Sequence, residues 1–415
     1  MVTNITFFLF TPKGPPLSTF RPGDSTPGRL RLLAVVLLAP LLSLTGLSAS
    51  ATAAPHLPDN PGRSTAAGER IPGQYIVTLR EGAEPRGVAG RHSAAPRYVY
   101  ESALNGFAAT LTDGQLRQLE GDPDVLTVEA DQVVRADVTQ SVTTGGGLYG
   151  LDRIDQRPLP LSGTFTYTLA GSGVRAYVID TGIATAHPDF GDRALNVYDA
   201  FGGSGQDCNG HGTHVAGTIG ASTYGVAKAS SLRGVRVLDC AGSGSTSGII
   251  AGVDWVRLNA IKPAVANLSL GGGLSTALNT ATSNLAAGGV FVAVAAGNEN
   301  QAACNVSPAS APGVLTVAAS DKSDGRASFS NFGSCVDLYA PGVGITSTWL
   351  SGGTNTISGT SMASPHVAGV GALYKSYGDA ASSTVNSWIL DNVTPNAITS
   401  NIAGTPNRLL FKATL

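Results

Sequence analysis

The sequence predicts an α/β protein, a doubly wound parallel sheet with helices on both faces, preceded by a small α+β unit. Three observations predict it. Short apolar runs alternate with longer segments of helical spacing from Leu148 onward. A shorter upstream segment mixes strand and helix patterns, and 42% hydrophobic against 13% charged residues excludes a disordered chain. Glycine, at 53 of 415 residues, shows no triplet period, which excludes collagen and indicates tight turns.

The larger unit carries the alternating pattern. Its predicted strands are residues 174–179, 232–238, 264–270, 290–295 and 314–319, and residues 247–259 have helical spacing. Nearly continuous apolar strands between helices indicate a parallel sheet that is covered on both faces. In such sheets the ligand crevice lies outside the carboxyl ends of the strands, so polar residues that directly follow strands are the functional candidates.

The smaller unit has its core at about residues 72–138. Strands are predicted at 74–79, 99–100, 107–111 and 125–134, with a helix at 113–120. This unit is acidic, with ten Asp and Glu against six Arg, a net charge of −4. A Pro- and Gly-rich linker precedes it at 55–71, and a polar, Gly-rich junction follows it at 139–147.

The first 54 residues predict export. Arg29 and Arg31 precede an apolar run at 32–42, and small residues with Ala-x-Ala spacing follow at 43–54. This order is typical of a secretory signal peptide. The alternative, a membrane anchor, needs about 20 apolar residues, and Pro40 leaves too short a run. No other segment suits a membrane, and a formal charge of −2 with scattered basic residues argues against nucleic-acid binding.

Four cysteines lie downstream of the predicted signal. An even number in an exported chain predicts two disulfides, because an oxidising compartment preserves them. Three pairings are possible, and spacing alone does not choose between them. A metal site is disfavoured by the absence of C-x-x-C spacing. The four residues are Cys208, Cys240, Cys304 and Cys335.

Four polar residues occupy the expected positions after strands or at the starts of helices. Asp180 closes the strand at 174–179, His211 lies in the Gly-rich segment 209–217, and Asn298 follows the strand at 290–295. Ser361 lies in segment 358–366, where Pro365 predicts a position in the first helical turn. A nucleophilic serine needs an imidazole as its base and a carboxylate that orients the imidazole. Asp180, His211 and Ser361 supply these groups.

In order and flanking sequence, these motifs resemble those of subtilisin-type serine proteases (subtilases), in the branch of proteinase K and aqualysin. The resemblance extends from Leu148 to about Phe411, and the order Asp, His, Ser is that of subtilisin. Residues 72–138 resemble the family's inhibitory propeptide, a ferredoxin-like unit. The implied organisation is a signal peptide with its lead at 1–54, a linker and propeptide at 55–138, and a peptidase domain at 139–415. The implied cut lies between Asp137 and Thr144.

The resemblance also implies roles for further residues. Asn298 and the Ser361 backbone N–H would form the oxyanion hole. Two glycine-rich edges of the cleft would bind an extended substrate as an added strand, which would give broad specificity. The walls of the specificity pocket carry no charge and would favour an apolar or aromatic residue before the cut. These substrate-binding residues are Gly242, Ser243, Gly244, Ser269, Leu270, Gly271, Ala295, Ala296 and Gly297.

Structural calcium and the disulfide pairing are implied by the same resemblance. Calcium prefers several oxygen ligands. One implied site uses Asp337 with the carbonyls of Pro312 and Val314, and the other uses Asp152, Asp155, Gln156, Ser162 and Thr164. The implied disulfides join Cys208 to Cys240 and Cys304 to Cys335. No catalytic cofactor is expected, and the implied product is a secreted, monomeric endopeptidase that processes its own zymogen and is inhibited by its propeptide.

Three alternatives remain at this stage. An α/β-hydrolase esterase needs G-x-S-x-G at the nucleophile, and Ser361 lacks the second glycine. A catalytically silent binding protein on the same fold is expected to have lost one of the three catalytic groups. The glycines at 242 and 244 are also compatible with simple turns.

Overall fold

The computed structural model describes residues 70–136 and 148–415, and the side chains of residues 134–136 are not described. The predicted signal peptide, most of the predicted linker and the junction at 139–147 lie outside these ranges. All described residues belong to one compact unit, Gly62–Leu415.

The smaller predicted unit forms an antiparallel sheet with two helices. Its elements are β1 (Arg70–Leu79), α1 (Pro85–Arg91), β2 (Pro96–Glu101), β3 (Asn105–Thr110), α2 (Asp113–Glu120) and β4 (Val125–Ala136). Strand β1 lies between β3 and β4, and β2 pairs with β3. Val77, Phe107 and Leu119 are buried in its core. The four predicted strands and the helix are confirmed, but the linker prediction was wrong at its end, because β1 begins at Arg70 and contains a register shift before Tyr75.

The larger unit contains a nine-stranded sheet. Its strands are β5 (Arg175–Asp180), β6 (Ala194–Asp199), β7 (Ser231–Arg236), β9 (Ala264–Leu268), β11 (Phe291–Ala295), β13 (Leu315–Ser320), β14 (Leu338–Pro341), β17 (Thr394–Pro395) and β18 (Arg408–Leu409). The strand order is β17-β18-β14-β13-β11-β9-β5-β7-β6, and every pair is parallel except β17 with β18.

Helices cover both faces of this sheet, as predicted. Successive residues of a strand point to opposite faces. The helices are α3 (Tyr149–Ile154), α4 (His211–Gly220), α5 (Thr246–Asn259), α6 (Thr276–Ala287), α7 (Thr360–Lys375) and α8 (Ser382–Asn392). In β5, Ala176 and Val178 pack in the cluster of α4 and α7, whereas Tyr177 and Ile179 pack in the cluster of α5 and α6.

Five short strands lie outside the large sheet, and two of them border the cleft. The predicted strand 264–270 is interrupted, because β9 ends at Leu268 and the chain leaves the parallel sheet to form an antiparallel strand. These short strands are β8 (Ser243–Ser245), β10 (Leu270–Gly273), β12 (Val306–Ser307) and the hairpin of β15 (Ile345–Thr348) with β16 (Thr354–Ile357).

Two disulfides connect loops of the larger unit. They join Cys208 to Cys240 and Cys304 to Cys335, which confirms the pairing that the family resemblance implied. Within the described ranges, no helix combines the length and the apolar character that crossing a bilayer requires.

Candidate active site

The predicted acid and base lie in contact. Asp180 is the last residue of β5, and His211 is the first residue of α4. The His211 Nδ1 atom lies 2.8 Å from Asp180 Oδ1 and 3.0 Å from Oδ2, and both side chains are fully buried. A buried carboxylate at Nδ1 fixes the imidazole orientation and directs Nε2 away from it. This pair therefore has the geometry of a general base with its orienting acid.

Ser361 is the second residue of α7, which packs against α4 at the same edge of the sheet. The Ser361 hydroxyl donates to the Ser269 carbonyl at 3.3 Å, and the Ser269 hydroxyl donates to the Ser361 carbonyl at 2.7 Å. Asn267 Nδ2 in turn donates to the Ser269 hydroxyl at 2.9 Å. The predicted nucleophile is thus held against the strand edge that was predicted to bind substrate. No pattern in the sequence marked the Ser269 hydroxyl.

The prediction for Pro365 was wrong by about one turn. Pro365 is the sixth residue of α7 rather than a member of its first turn. Proline has no N–H, so the helical hydrogen bond to the carbonyl four residues earlier is missing. That carbonyl belongs to Ser361, and it accepts the Ser269 hydroxyl instead. The proline therefore frees the acceptor that connects α7 to the substrate-binding edge.

Asn298 presents an amide donor beside Ser361. Its Oδ1 atom accepts both the backbone N–H and the hydroxyl of Thr360, each at 2.9 Å. Because these partners are donors, the amide orientation is determined, and Nδ2 points away from them. Nδ2 is buried and has no hydrogen-bond partner among the residues that the structure describes. A buried, unused N–H donor next to Ser361 is the arrangement an oxyanion requires. Sequence reasoning missed Thr360.

The two predicted pocket walls meet the nucleophile helix. Residues 269–271 contact it through Ser269, and residues 295–297 contact it because Gly297 N–H donates to the Thr360 hydroxyl at 3.1 Å. Gly297 has φ +99°, and a Cβ there would lie 2.3 Å from Asn331 Nδ2. Asn331, which sequence reasoning missed, also donates to the Ala296 carbonyl at 2.9 Å. Only glycine fits this position.

The last strand of the smaller unit lies in the predicted cleft. Strand β4 pairs antiparallel with β8 on one side and with β10 on the other. Gly244 lies opposite Val134, while Leu270 and Gly271 lie opposite Ala136 and Arg135. The two glycine-rich edges thus pair with the extended strand β4 through backbone hydrogen bonds.

Two carboxylates of β4 cap helices of the larger unit. Asp131 accepts the Ser247 N–H at 2.9 Å and the Ser247 hydroxyl at the start of α5. Glu129 accepts the hydroxyl of Ser275, the N-cap of α6. Burial raises the pKa of both carboxyl groups. In the opposite direction, Asp254 of α5 accepts the backbone N–H of Ser102 at 2.9 Å. Carboxylates of each unit therefore accept hydrogen bonds from the other unit and hold the two together.

Two further histidines near the site are buried and bond to backbone carbonyls. His214 Nε2 lies 3.0 Å from the Ile345 carbonyl, and His366 Nδ1 lies 2.8 Å from the Met362 carbonyl. Burial lowers the pKa of His214 to about 3 and that of His366 to about 4. Both imidazoles are therefore neutral across the physiological range.

The first candidate calcium position centres on Asp337. Its Oδ2 atom accepts the Thr316 N–H at 2.8 Å, and burial raises the pKa of this carboxyl group. The Pro312 carbonyl accepts the Ser283 hydroxyl at 2.8 Å, and a carbonyl has a second lone pair. A buried carboxylate that is disfavoured in its charged form is stabilised by a nearby cation. A buried carboxylate and a backbone carbonyl are oxygen donors of the kind that calcium binds.

The second candidate position is a hydrogen-bonded loop. Asp152 Oδ1 accepts the Ser162 N–H and hydroxyl at 3.1 and 2.9 Å, and the Ser162 hydroxyl lies 2.8 Å from that of Thr164. Gln156 Oε1 also accepts the Ser162 N–H, at 2.8 Å, and Asp155 Oδ2 accepts the Thr166 N–H at 2.6 Å. The loop concentrates oxygen atoms, although its carboxylates already accept backbone donors. Among the described residues, no group of three or more His, Cys, Asp or Glu side chains is arranged to bind a metal.

Comparison with known sequences defines the class. Residues 171–407 match the subtilase family, described as Peptidase_S8, and residues 74–137 match peptidase inhibitor I9. The chain belongs to the subtilase family and is a serine endopeptidase with an inhibitor-type propeptide. The propeptide therefore contains the smaller unit, and the peptidase domain corresponds to the larger one.

Individual relatives agree with this assignment. The chain is 50% identical over 405 residues to an extracellular serine proteinase of Thermus sp. (strain Rt41A), covering 90% of this chain and 98% of the relative. It is 43% identical to proteinase R of Parengyodontium album, covering 83% and 90%. A solved structure, a cold adapted subtilisin-like serine proteinase, is 52% identical with a TM-score of 0.63, covering 65% of this chain and 98% of that one.

Proposed function

We propose that the protein is a secreted serine endopeptidase in which Asp180, His211 and Ser361 form the catalytic triad. The observation that carries the proposal is the buried hydrogen bond between His211 and Asp180, at the sheet edge where Ser361 lies in the first turn of α7. In this mechanism Ser361 Oγ attacks the scissile carbonyl carbon while His211 takes its proton. His211 then returns the proton to the leaving amine, and Asp180 stabilises the imidazolium. Asn298 Nδ2 and the Ser361 N–H receive the developing oxyanion.

Labelling by a serine-directed fluorophosphonate tests this assignment. The processed wild-type protein should be labelled once and should hydrolyse unfolded casein, and Ser361→Ala should lose both properties. Ser323→Ala, at an exposed serine outside the site, is the matched control and should retain both. Labelling or hydrolysis that persists in Ser361→Ala would reject Ser361 as the nucleophile. A folded wild-type protein that shows neither would favour the alternative, a catalytically silent binding protein.

We propose broad specificity with a preference for apolar or aromatic residues before the cut. Backbone pairing on both sides of β4 supports broad specificity, because such pairing makes little demand on side chains. The walls at 269–271 and 295–297 carry no charged side chain, so a charged residue would lose its hydration there without gaining a partner. Peptides that differ only at this position should give a higher kcat/KM with Phe or Leu than with Arg or Asp. Equal values would remove the preference.

The precursor is proposed to process itself. Strand β4 runs through the cleft as far as Ala136, opposite Leu270, which supports a cut shortly after it, between Asp137 and Thr144. A signal peptide within residues 1–54 would direct the chain outside the cell, as the name of the Thermus relative suggests. The propeptide would then remain bound as an inhibitor of a monomeric enzyme. N-terminal sequencing of the secreted protein tests both boundaries, and a start outside residues 138–144 would refute the processing site.

Calcium is proposed as a structural ligand. The sites are Asp337 with the carbonyls of Pro312 and Val314, and the loop of Asp152, Asp155, Gln156, Ser162 and Thr164. When bound, the ion would neutralise buried carboxylates and fix the loops, while catalysis would need no cofactor. A chelator should lower the melting temperature of the fluorophosphonate-inactivated enzyme, and added calcium should restore it. Asp337→Asn should reduce the shift, and an identical melting temperature with and without chelator would exclude the ion.

A further inference from the structure

Helix α4, which begins with His211, lacks a cap of its own. Its N-cap is Gly210, which has φ +106° and no side chain to accept a hydrogen bond. The first N–H groups of a helix have no partner within the helix. Here three side chains from outside α4 accept them. The acceptors are Asn209 Oδ1 for His211 (3.2 Å), Thr181 Oγ1 for Gly212 (2.9 Å) and Asp207 Oδ2 for Thr213 (2.9 Å).

Asp207 is the centre of this arrangement. Its side chain is buried, and it accepts five hydrogen bonds from the segments that carry His211 and Asp180. Oδ1 accepts from the Thr181 hydroxyl, the Asn209 N–H and the Gly210 N–H, each at 2.9 Å, and Oδ2 accepts from the Thr213 N–H at 2.9 Å and the Thr213 hydroxyl at 2.6 Å. Every partner is a donor, so an ionised carboxylate suits the position and an amide does not.

The Thr181 hydroxyl carries this connection to the catalytic acid. Thr181 directly follows Asp180, and its hydroxyl has a single proton. Because Asp207 accepts that proton, the hydroxyl oxygen is left to accept the Gly212 N–H at 2.9 Å. The contact is close, since a Cβ on Gly212 would lie 2.2 Å from the Gly182 carbonyl oxygen and 3.2 Å from Asp180 Oδ1. The start of α4 is therefore fixed against the end of β5.

We propose that Asp207 is a positioning residue for the reaction, which holds His211 at hydrogen-bonding distance from Asp180 by way of Thr181. The proposal rests on the proposed function of the triad. Asp207 does not touch the reacting atoms; it sets the relative position of two elements, β5 and α4, that each supply one triad member. Misplacement of a catalytic group by about 1 Å lowers the rate by about 100-fold, so loss of this connection should appear in kcat.

Two substitutions remove the connection at different points. Asp207→Asn places an amide N–H₂ against N–H and O–H donors, and we expect kcat per active site to fall by about 10- to 100-fold. KM should stay within about twofold, because the strands β8 and β10 that bind substrate are unaltered. Thr181→Val removes the bridging hydroxyl at similar volume and should lower kcat similarly, whereas Thr181→Ser keeps the hydroxyl and should exceed Thr181→Val in kcat. In the double variant, the effects of Asp207→Asn and Thr181→Val on kcat should be non-additive.

A control separates positioning from general loss of stability. Asp321→Asn alters another carboxylate that accepts backbone donors, the N–H groups of Ser323 and Gly325 at 2.8 Å, in a different loop. It should leave kcat per titrated active site unchanged. An unchanged kcat in folded Asp207→Asn, or equal kcat values for Thr181→Ser and Thr181→Val, would overturn the proposal. If Asp207→Asn does not fold, the Thr181 pair decides. Hydrolysis by Ser361→Ala would instead refute the proposed function, so the two failures are distinguishable.

Discussion

Removal of one propeptide carboxylate should release the inhibitor faster. Asp131 is 1% exposed and accepts the N–H and hydroxyl of Ser247 at the start of α5. Asp131→Ala leaves the buried Ser247 N–H without its acceptor, while the Ser247 hydroxyl keeps only the Ser245 hydroxyl at 3.0 Å. The expected cost is about 1–3 kcal/mol. Burial raises the pKa of Asp131, so desolvation already offsets part of the gain. We therefore take about 2 kcal/mol, which corresponds to about 30-fold weaker propeptide binding.

The assay is the delay between processing of the full-length precursor and the appearance of peptidase activity. Differences in affinity appear mostly in the dissociation rate, so the delay should shorten by about 30-fold. Glu120→Ala, at an exposed carboxylate of α2, makes the same charge change and should leave the delay unaltered. Active-site titration corrects for differences in folding yield. A delay in Asp131→Ala equal to that in Glu120→Ala would refute the proposed capping contribution.

Three further predictions concern the peptidase domain. Asn298→Ala should lower kcat by about 10² to 10³, the cost of removing such a donor in subtilisin, with little change in KM; an unchanged kcat would reject its role. Because burial depresses the pKa of His214 and His366, stability should be full above about pH 6.5 and fall below it by about 1.4 kcal/mol per pH unit for each imidazole. A melting temperature of inactivated enzyme that is constant from pH 7 to 5 would contradict this. Thiol titration of the denatured, unreduced protein should find no free cysteine, and any titratable thiol would exclude one of the disulfides.

Much of the architecture was predictable because the strands of the parallel sheet are apolar on both faces. The runs at 174–179, 290–295 and 314–319 lie within one residue of β5, β11 and β13. Helix α1 was not predicted, since it is short and contains two glycines, which disfavour helices. Strand β6 was not predicted either, because its residues are half-buried and mixed in polarity.

The candidate site was predictable only where residues occur in dense motifs. Asp180, His211, Asn298 and Ser361 each lie beside glycines at the end of a strand or the start of a helix. Asn331, by contrast, supports Gly297 from a distant segment, and no local pattern marks it. Asp207 lies two residues before the motif of His211, but its role depends on Thr181, 26 residues away. Such partnerships arise from the fold.

The proline in α7 has a mechanical consequence. Since the Ser361 carbonyl bonds to Ser269 rather than to its own helix, two hydrogen bonds connect Ser361 directly to the strand edge that pairs with β4. A displacement of this edge would therefore be passed to Ser361 itself.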